Sequence, residues 1–181
     1  ALSKFGLTLD RPVLALCPGA EFGESKRWPA EHYAQVADAS IREGWQVWLF
    51  GSKKDHPVGE SIRQELIPGL REESVNLSGE TSLAEAIDLL SCADAVVSND
   101  SGLMHVAAAL NRPLVAVYGS TSPGFTPPLA DAVEVVRLGI ECSPCFERTC
   151  RFGHYNCMRL LEPDAVTQAL SRLSSTPVEV A

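Results

Sequence analysis

Ala95-Val96-Val97-Ser98-Asn99-Asp100-Ser101-Gly102-Leu103-Met104-His105-Val106-Ala107-Ala108-Ala109-Leu110 changes character at its centre, and that change decides the fold. Residues 95–98 are a short apolar run of the kind that fills a buried parallel strand, and residues 106–110 are helix-like. A strand that ends in a small polar turn and restarts as a helix aims backbone N–H groups and a positive helix end at an anion. On that turn Asp100 can accept hydrogen bonds from sugar hydroxyls, and Ser101 and Gly102 allow close backbone approach to a phosphate or sugar. His105 lies one helical turn inside. Asp also caps helices, Asn-Asp-Ser-Gly suits a purely structural turn, and a lone helical His often only packs. The placement of all four at the end of an apolar strand favours a binding turn.

The same strand, turn, helix order recurs outward in both directions. Val13-Leu14-Ala15-Leu16-Cys17 is a second apolar run, followed by a Pro-Gly turn and a helix starting at Pro29 and stopping near Gly44. Strands are expected over 45–50, 75–77, 114–118 and 133–138, with helices over 58–66, 84–92 and 164–173 and a frayed tail from Ser174 through Pro177. Ser82 and Glu85 form a capping box that opens the helix over 84–92. This alternation predicts one α/β domain over residues 1–181, a three-layer, doubly wound parallel sheet of Rossmann type. Ligands of such sheets sit beyond the carboxyl ends of the strands, so the turns at 18–28, 51–56, 99–105 and 119–122 should converge on one edge.

Composition narrows the partners. The 181 residues are 45% hydrophobic, enough for a sizeable core, and no stretch nears the roughly 20 apolar residues of a membrane span. Without the apolar centre of a signal peptide at its start, the chain is expected in the cytoplasm. A net charge of −8 argues against bulk binding to nucleic acid, although Lys26 and Arg27 can still hold a phosphate locally. The first turn places glycines and these cations before a helix start, which suits a diphosphate, yet it has neither the P-loop pattern nor the dinucleotide fingerprint. Asp55 and His56 fall at a coil tip, read as solvated surface unless a nucleoside lies there.

Of the six cysteines, Cys17 and Cys92 sit in apolar surroundings and read as small core residues. Cys142, Cys145, Cys150 and Cys157 form a cysteine-rich segment over 142–157 whose gaps are two, four and six residues. They can close a structural zinc site, remain free thiols or pair as disulfides, and Arg148, Arg151 and His154 among them could instead help hold an anion.

Cys17-Pro18-Gly19-Ala20 with Lys26-Arg27-Trp28-Pro29, then Phe50-Gly51-Ser52, Asn76-Leu77-Ser78-Gly79, residues 99–105 and Tyr118-Gly119, resemble the carboxyl-terminal half of the ADP-heptose:lipopolysaccharide heptosyltransferases of glycosyltransferase family 9. The wording of residues 99–105 favours the type that adds the second heptose. The resemblance covers nearly the whole chain and implies one Rossmann-like half of a two-domain GT-B enzyme, the half that holds the nucleotide sugar. It implies that Lys26 binds the ADP phosphates and that Gly19 and Ala20 line the phosphate turn. It further implies that Asp100, Ser101, Gly102 and His105 hold the heptose and pyrophosphate, and that the 51–56 loop with Asp55 approaches the adenosine. The implied reaction is an inverting transfer from ADP-heptose to the lipopolysaccharide inner core, without a catalytic metal, at the inner face of the inner membrane with at most peripheral association. The catalytic base and the acceptor site are then expected in the other half, so no catalytic residue is assigned here. Another nucleotide-sugar enzyme of this architecture, a UDP-sugar transferase or epimerase, stands as the alternative, and a noncatalytic metal-bound interaction module as a more distant one.

Overall fold

A computed structural model of the chain describes residues 1–175. Six strands form one sheet: β1 (Val13–Cys17), β2 (Gln46–Leu49), β3 (Ser74–Asn76), β4 (Ala95–Asn99), β5 (Leu114–Val117) and β6 (Val133–Val136). All neighbouring pairs are parallel, in the order β3-β2-β1-β4-β5-β6. The helices are α1 (Leu2–Phe5), α2 (Ala30–Arg42), α3 (His56–Glu65), α4 (Leu83–Leu90), α5 (Gly102–Ala109), α6 (Asn156–Arg159) and α7 (Pro163–Ser175). Doubly wound α/β architecture follows, as the alternation predicts.

Two cores result because successive strand residues point to opposite faces. Leu14 and Leu16 of β1, Val97 of β4 and Val117 of β5 pack with Tyr33, Val36 and Ile41 of α2, Ile62 of α3 and Val166 of α7. Val13, Ala15 and Cys17 of the same β1 face the other way, onto Leu89 and Leu90 of α4 and Met104 and Ala107 of α5. From β1 the chain winds outward through α2 and α3 on one face. It then returns through α4 and α5 on the other, winding in the opposite direction, so reversal of both direction and face keeps a single hand of crossover. That reversal lies between β1 and β4, the switch point at whose carboxyl edge sheets of this kind bind their ligands in a crevice.

The ends of β1 match the sequence reading, and those of the other strands and of the helices expected over 58–66, 84–92 and 164–173 shift by at most two residues. The N–H groups of Phe50, Leu77 and Tyr118 still bond the carbonyls of Leu16, Leu49 and Val136, so each of these strands continues its ladder one residue into its turn. Neither α1 nor α6 is foreseen, since four residues carry too little periodicity to register. Two expectations need correction. Helix α7 runs through Ser174 and Ser175 rather than fraying there, and Thr176 and Pro177 lie outside the described residues. Cys92 is half-buried just past α4, packed against the edge of the second core rather than inside it, its thiol donating to the Asp88 carbonyl.

The Leu16 side chain is fully buried, whereas Leu83 is 67% exposed. Leu16→Ala should therefore lower unfolding stability by about 2–5 kcal/mol and Leu83→Ala by less than about 0.5 kcal/mol, read from urea unfolding midpoints.

Candidate nucleotide-sugar site

Asn99, the last residue of β4, is fully buried and ties the crevice together. Its Nδ2 donates to the Pro18 carbonyl at 2.7 Å, while its Oδ1 accepts from the Tyr33 hydroxyl at 3.0 Å and the Trp28 backbone N–H at 3.3 Å. One amide thus clamps both ends of the 18–28 loop to the end of β4. Burial pushes the Tyr33 phenol well above its ordinary value, so it remains a donor.

Within that clamped loop a short turn, Glu24–Lys26, carries Lys26 toward the next residue of β4's turn. Lys26 Nζ lies 2.6 Å from Asp100 Oδ2, with side chains only 11% and 4% exposed. Asp100 Oδ2 also accepts from Thr121 Oγ1 at 2.6 Å, and Thr126 Oγ1 stands 3.2 Å from each carboxylate oxygen. Thr121 and Thr126 follow β5, so three strand-end loops meet on one carboxylate. Beneath them the Tyr118 hydroxyl donates to the Thr126 carbonyl, and burial first and Asp100 second raise its pKa far above the usual phenol. Lys26 also sits 4.8 Å over the Phe22 ring, which the Arg148 guanidinium approaches at 5.1 Å.

The remaining expected site residues fall around this pair. At Gly19 a Cβ would stand 2.6 Å from the Asp55 carboxylate, so the 18–28 loop passes directly over the 51–56 loop and only glycine fits. The coil-tip reading of Asp55 is thereby corrected: its carboxylate is buried, accepting from Ser52 N–H at 2.9 Å and Ser52 Oγ at 2.7 Å in a capping box. His56 is half-buried there, with Nδ1 2.9 Å from the Ser78 carbonyl. Arg27 reaches across to Asp55 at 3.8 Å. Ala20 is buried.

Ser101 is the extended N-cap of α5, with no side-chain cap hydrogen bond and no acid in the first turn, so the helix end keeps its positive field for a ligand. Gly102 is exposed, and no Cβ placed on it would meet another atom within 4 Å. His105 is also exposed. Sequence reasoning misses Asn99, Thr121, Thr126 and Phe22 as site builders. Asn99 lies inside the motif that was read, but its role depends on partners 66 to 81 residues away.

The cysteine-rich segment backs the first loop. Ser25 N–H donates to the Arg148 carbonyl at 3.3 Å and Ser25 Oγ to the Glu147 carbonyl, while Ser120 Oγ donates to Ser25 Oγ at 3.0 Å. A Cβ on Gly23 would stand 2.3 Å from the Arg148 carbonyl oxygen. Burial raises the Cys157 thiol to about 11, with Cys145, Cys142 and Cys150 adding to the shift. Cys150 moves down, chiefly through the Tyr155 backbone N–H and also through those of Phe152, His154 and Gly153.

A family model described as glycosyltransferase family 9 (heptosyltransferase) matches residues 1–156. The chain belongs to this family. Lipooligosaccharide heptosyltransferase 2 of Haemophilus influenzae is 60% identical over 129 residues, 71% of this chain and 37% of the relative. Lipopolysaccharide heptosyltransferase 2 of Escherichia coli K12 is 46% identical over 171 residues, 94% of this chain and 49% of the relative. The solved E. coli ADP-heptose lps heptosyltransferase II matches with a TM-score of 0.85 and 46% identity, over 95% of this chain and 49% of that one. The chain therefore spans about half the length of the E. coli relatives, and the likeness supports a Rossmann-like half of a family 9 enzyme.

Gly19→Ala should destabilise the fold by about 1–3 kcal/mol through overpacking against Asp55. In an Asp55→Ala background the same change should cost clearly less, and equal costs in both backgrounds would refute the contact.

Proposed function

We propose that this chain is the donor-binding half of an inverting family 9 heptosyltransferase, which moves heptose from ADP-heptose to the inner core of lipopolysaccharide as the second heptose. The observation that carries the reading is Lys26 paired with Asp100 at the β1/β4 crevice, beside the open end of α5. A largely buried ammonium next to a helix N-terminus without a side-chain cap suits a diphosphate, the anion such crevices bind. The heptosyltransferase activity of the family 9 relatives named above supplies the sugar and the acceptor of this reading.

The chemistry follows from charge. As an acceptor hydroxyl attacks the anomeric carbon, the bond from that carbon to the diphosphate oxygen breaks and its electron pair leaves on ADP. Lys26 and the α5 N–H groups offset the charge gathering there. Asp100 has two tasks: Oδ2 holds Lys26 in position, and Oδ1, whose only protein partner is Thr126 at 3.2 Å among the described residues, faces a sugar hydroxyl. Gly19 and Ala20 line the phosphate turn, Ser101 and Gly102 admit the pyrophosphate, and His105 reaches the heptose from the exposed face of α5. Asp55 acts through the 51–56 loop, whose shape it sets beside the adenosine.

The proton of the attacking hydroxyl passes to a base in the half of the enzyme outside this chain, which also binds the acceptor. No catalytic metal enters these steps. Among the described residues no helix is long and apolar enough to cross a membrane. Work at the cytoplasmic face of the inner membrane, by at most peripheral association, agrees with that and with an acceptor built on lipid.

Calorimetry should show ADP binding at least tenfold tighter than UDP, with no sugar transfer by the chain alone. Lys26→Met, checked for folding by circular dichroism, should weaken ADP binding by about 10- to 100-fold, the worth of a charge-assisted contact. Equal affinity for ADP and UDP, or a folded Lys26→Met variant that binds ADP like the parent, would refute the proposal.

A further inference from the structure

Residues 137–155 contain neither strand nor helix, and none of residues 137–157 is buried. Apolar burial therefore does little to hold this stretch, yet its 147 and 148 carbonyls brace Ser25, next to Lys26. A segment with so little core needs another cross-link.

The four free thiols of the segment supply one. Cys142, Cys145, Cys150 and Cys157 line a single cavity of about 10 Å³, closed on the inner side by Ser25 and Ser120. That is room for one ion and no larger ligand. His154 borders the cavity with Nδ1 3.9 Å from Cys150 Sγ, but that nitrogen accepts the Asn156 backbone N–H at 3.0 Å and the ring stacks on Phe152. The thiols are thus the donor set. Around Cys150 the chain turns tightly, Gly153 N–H bonding the Cys150 carbonyl at 3.0 Å. Arg151 lines the cavity as a counter-charge.

We propose that these four cysteines bind one Zn²⁺ as thiolates and that the ion braces the donor loop from behind. Among the described residues no three ligating side chains already stand in coordinating geometry, so binding draws the thiols together, which an unburied segment without strands permits. Four thiol protons pass to solvent as four S–Zn bonds form, leaving a double negative charge beside Arg151. Four thiolates suit zinc or a single iron, and a bracing role that needs no redox change favours zinc. The inference does not depend on which nucleotide sugar the crevice holds.

Full-length protein purified under reducing conditions without chelator should carry one zinc per chain by elemental analysis. Replacing it with Co²⁺ should give intense sulfur-to-cobalt charge-transfer absorption and tetrahedral ligand-field bands, a readout on the unmutated protein that does not depend on activity. Cys150→Ser and Cys157→Ser should each reduce retained zinc well below one per chain, and chelation should lower the melting temperature until Zn²⁺, not Mg²⁺, restores it. Absence of metal, iron in place of zinc, a cobalt spectrum without charge-transfer intensity, or thiols equally reactive to a disulfide reagent with and without Zn²⁺ would overturn the proposal.

Discussion

The buried amide of Asn99 is the contact on which the rest of the crevice depends. A parallel sheet leaves its strand ends as separate loops, and nothing in the ladder itself ties the loop after β1 to the loop after β4. Asn99 does so with a donor to Pro18 and acceptor contacts from Trp28 and Tyr33, all removed from water. In that environment an unmet partner is costly, so the three contacts hold as a set. With the 18–28 loop fixed at both ends, Lys26 has one direction in which to reach, and Asp100 meets it there.

The pair between Lys26 and Asp100 is expensive in isolation, because both charges are largely withdrawn from solvent. Thr121 and Thr126 offset part of that cost by donating to the same carboxylate, so the loop after β5 becomes a wall of the site. Such an arrangement holds a cation ready in a partly dry crevice, where it acts on a diphosphate more strongly than it would in water. The cysteine-rich segment supports it from behind, through carbonyls on Ser25 and through Arg148 against the Phe22 ring.

Much of this was legible in one dimension. Short apolar runs separated by helix-length intervals mark all six strands within two residues at each end, and the capping box at Ser82 and Glu85 forms. Lys26 and Asp100 stand out because cations, glycines and acids sit where strands stop. Less legible was everything that joins one turn to another. The inward carboxylate of Asp55 looked like a solvated tip because its capping box lies in a three-residue turn and its burial is imposed by Gly19, 36 positions earlier. Thr126 and Phe22 carry no local signal at all, being an ordinary threonine and an ordinary phenylalanine until the loops converge.

The sequence by itself determined the alternation of strands and helices, the parallel sheet that must follow from it, and the residue types available at the carboxyl edge, since each of these depends on neighbours within a few positions. Tertiary structure alone decided which of those residues meet. The β1/β4 reversal places Lys26 against Asp100 across 74 positions of chain, and leaves His105 on the outer side of α5. Local patterns set the elements because backbone hydrogen bonds and side-chain periodicity are short-range. The site belongs to the fold because a buried charge can be matched only by a partner that the winding of the sheet brings to it.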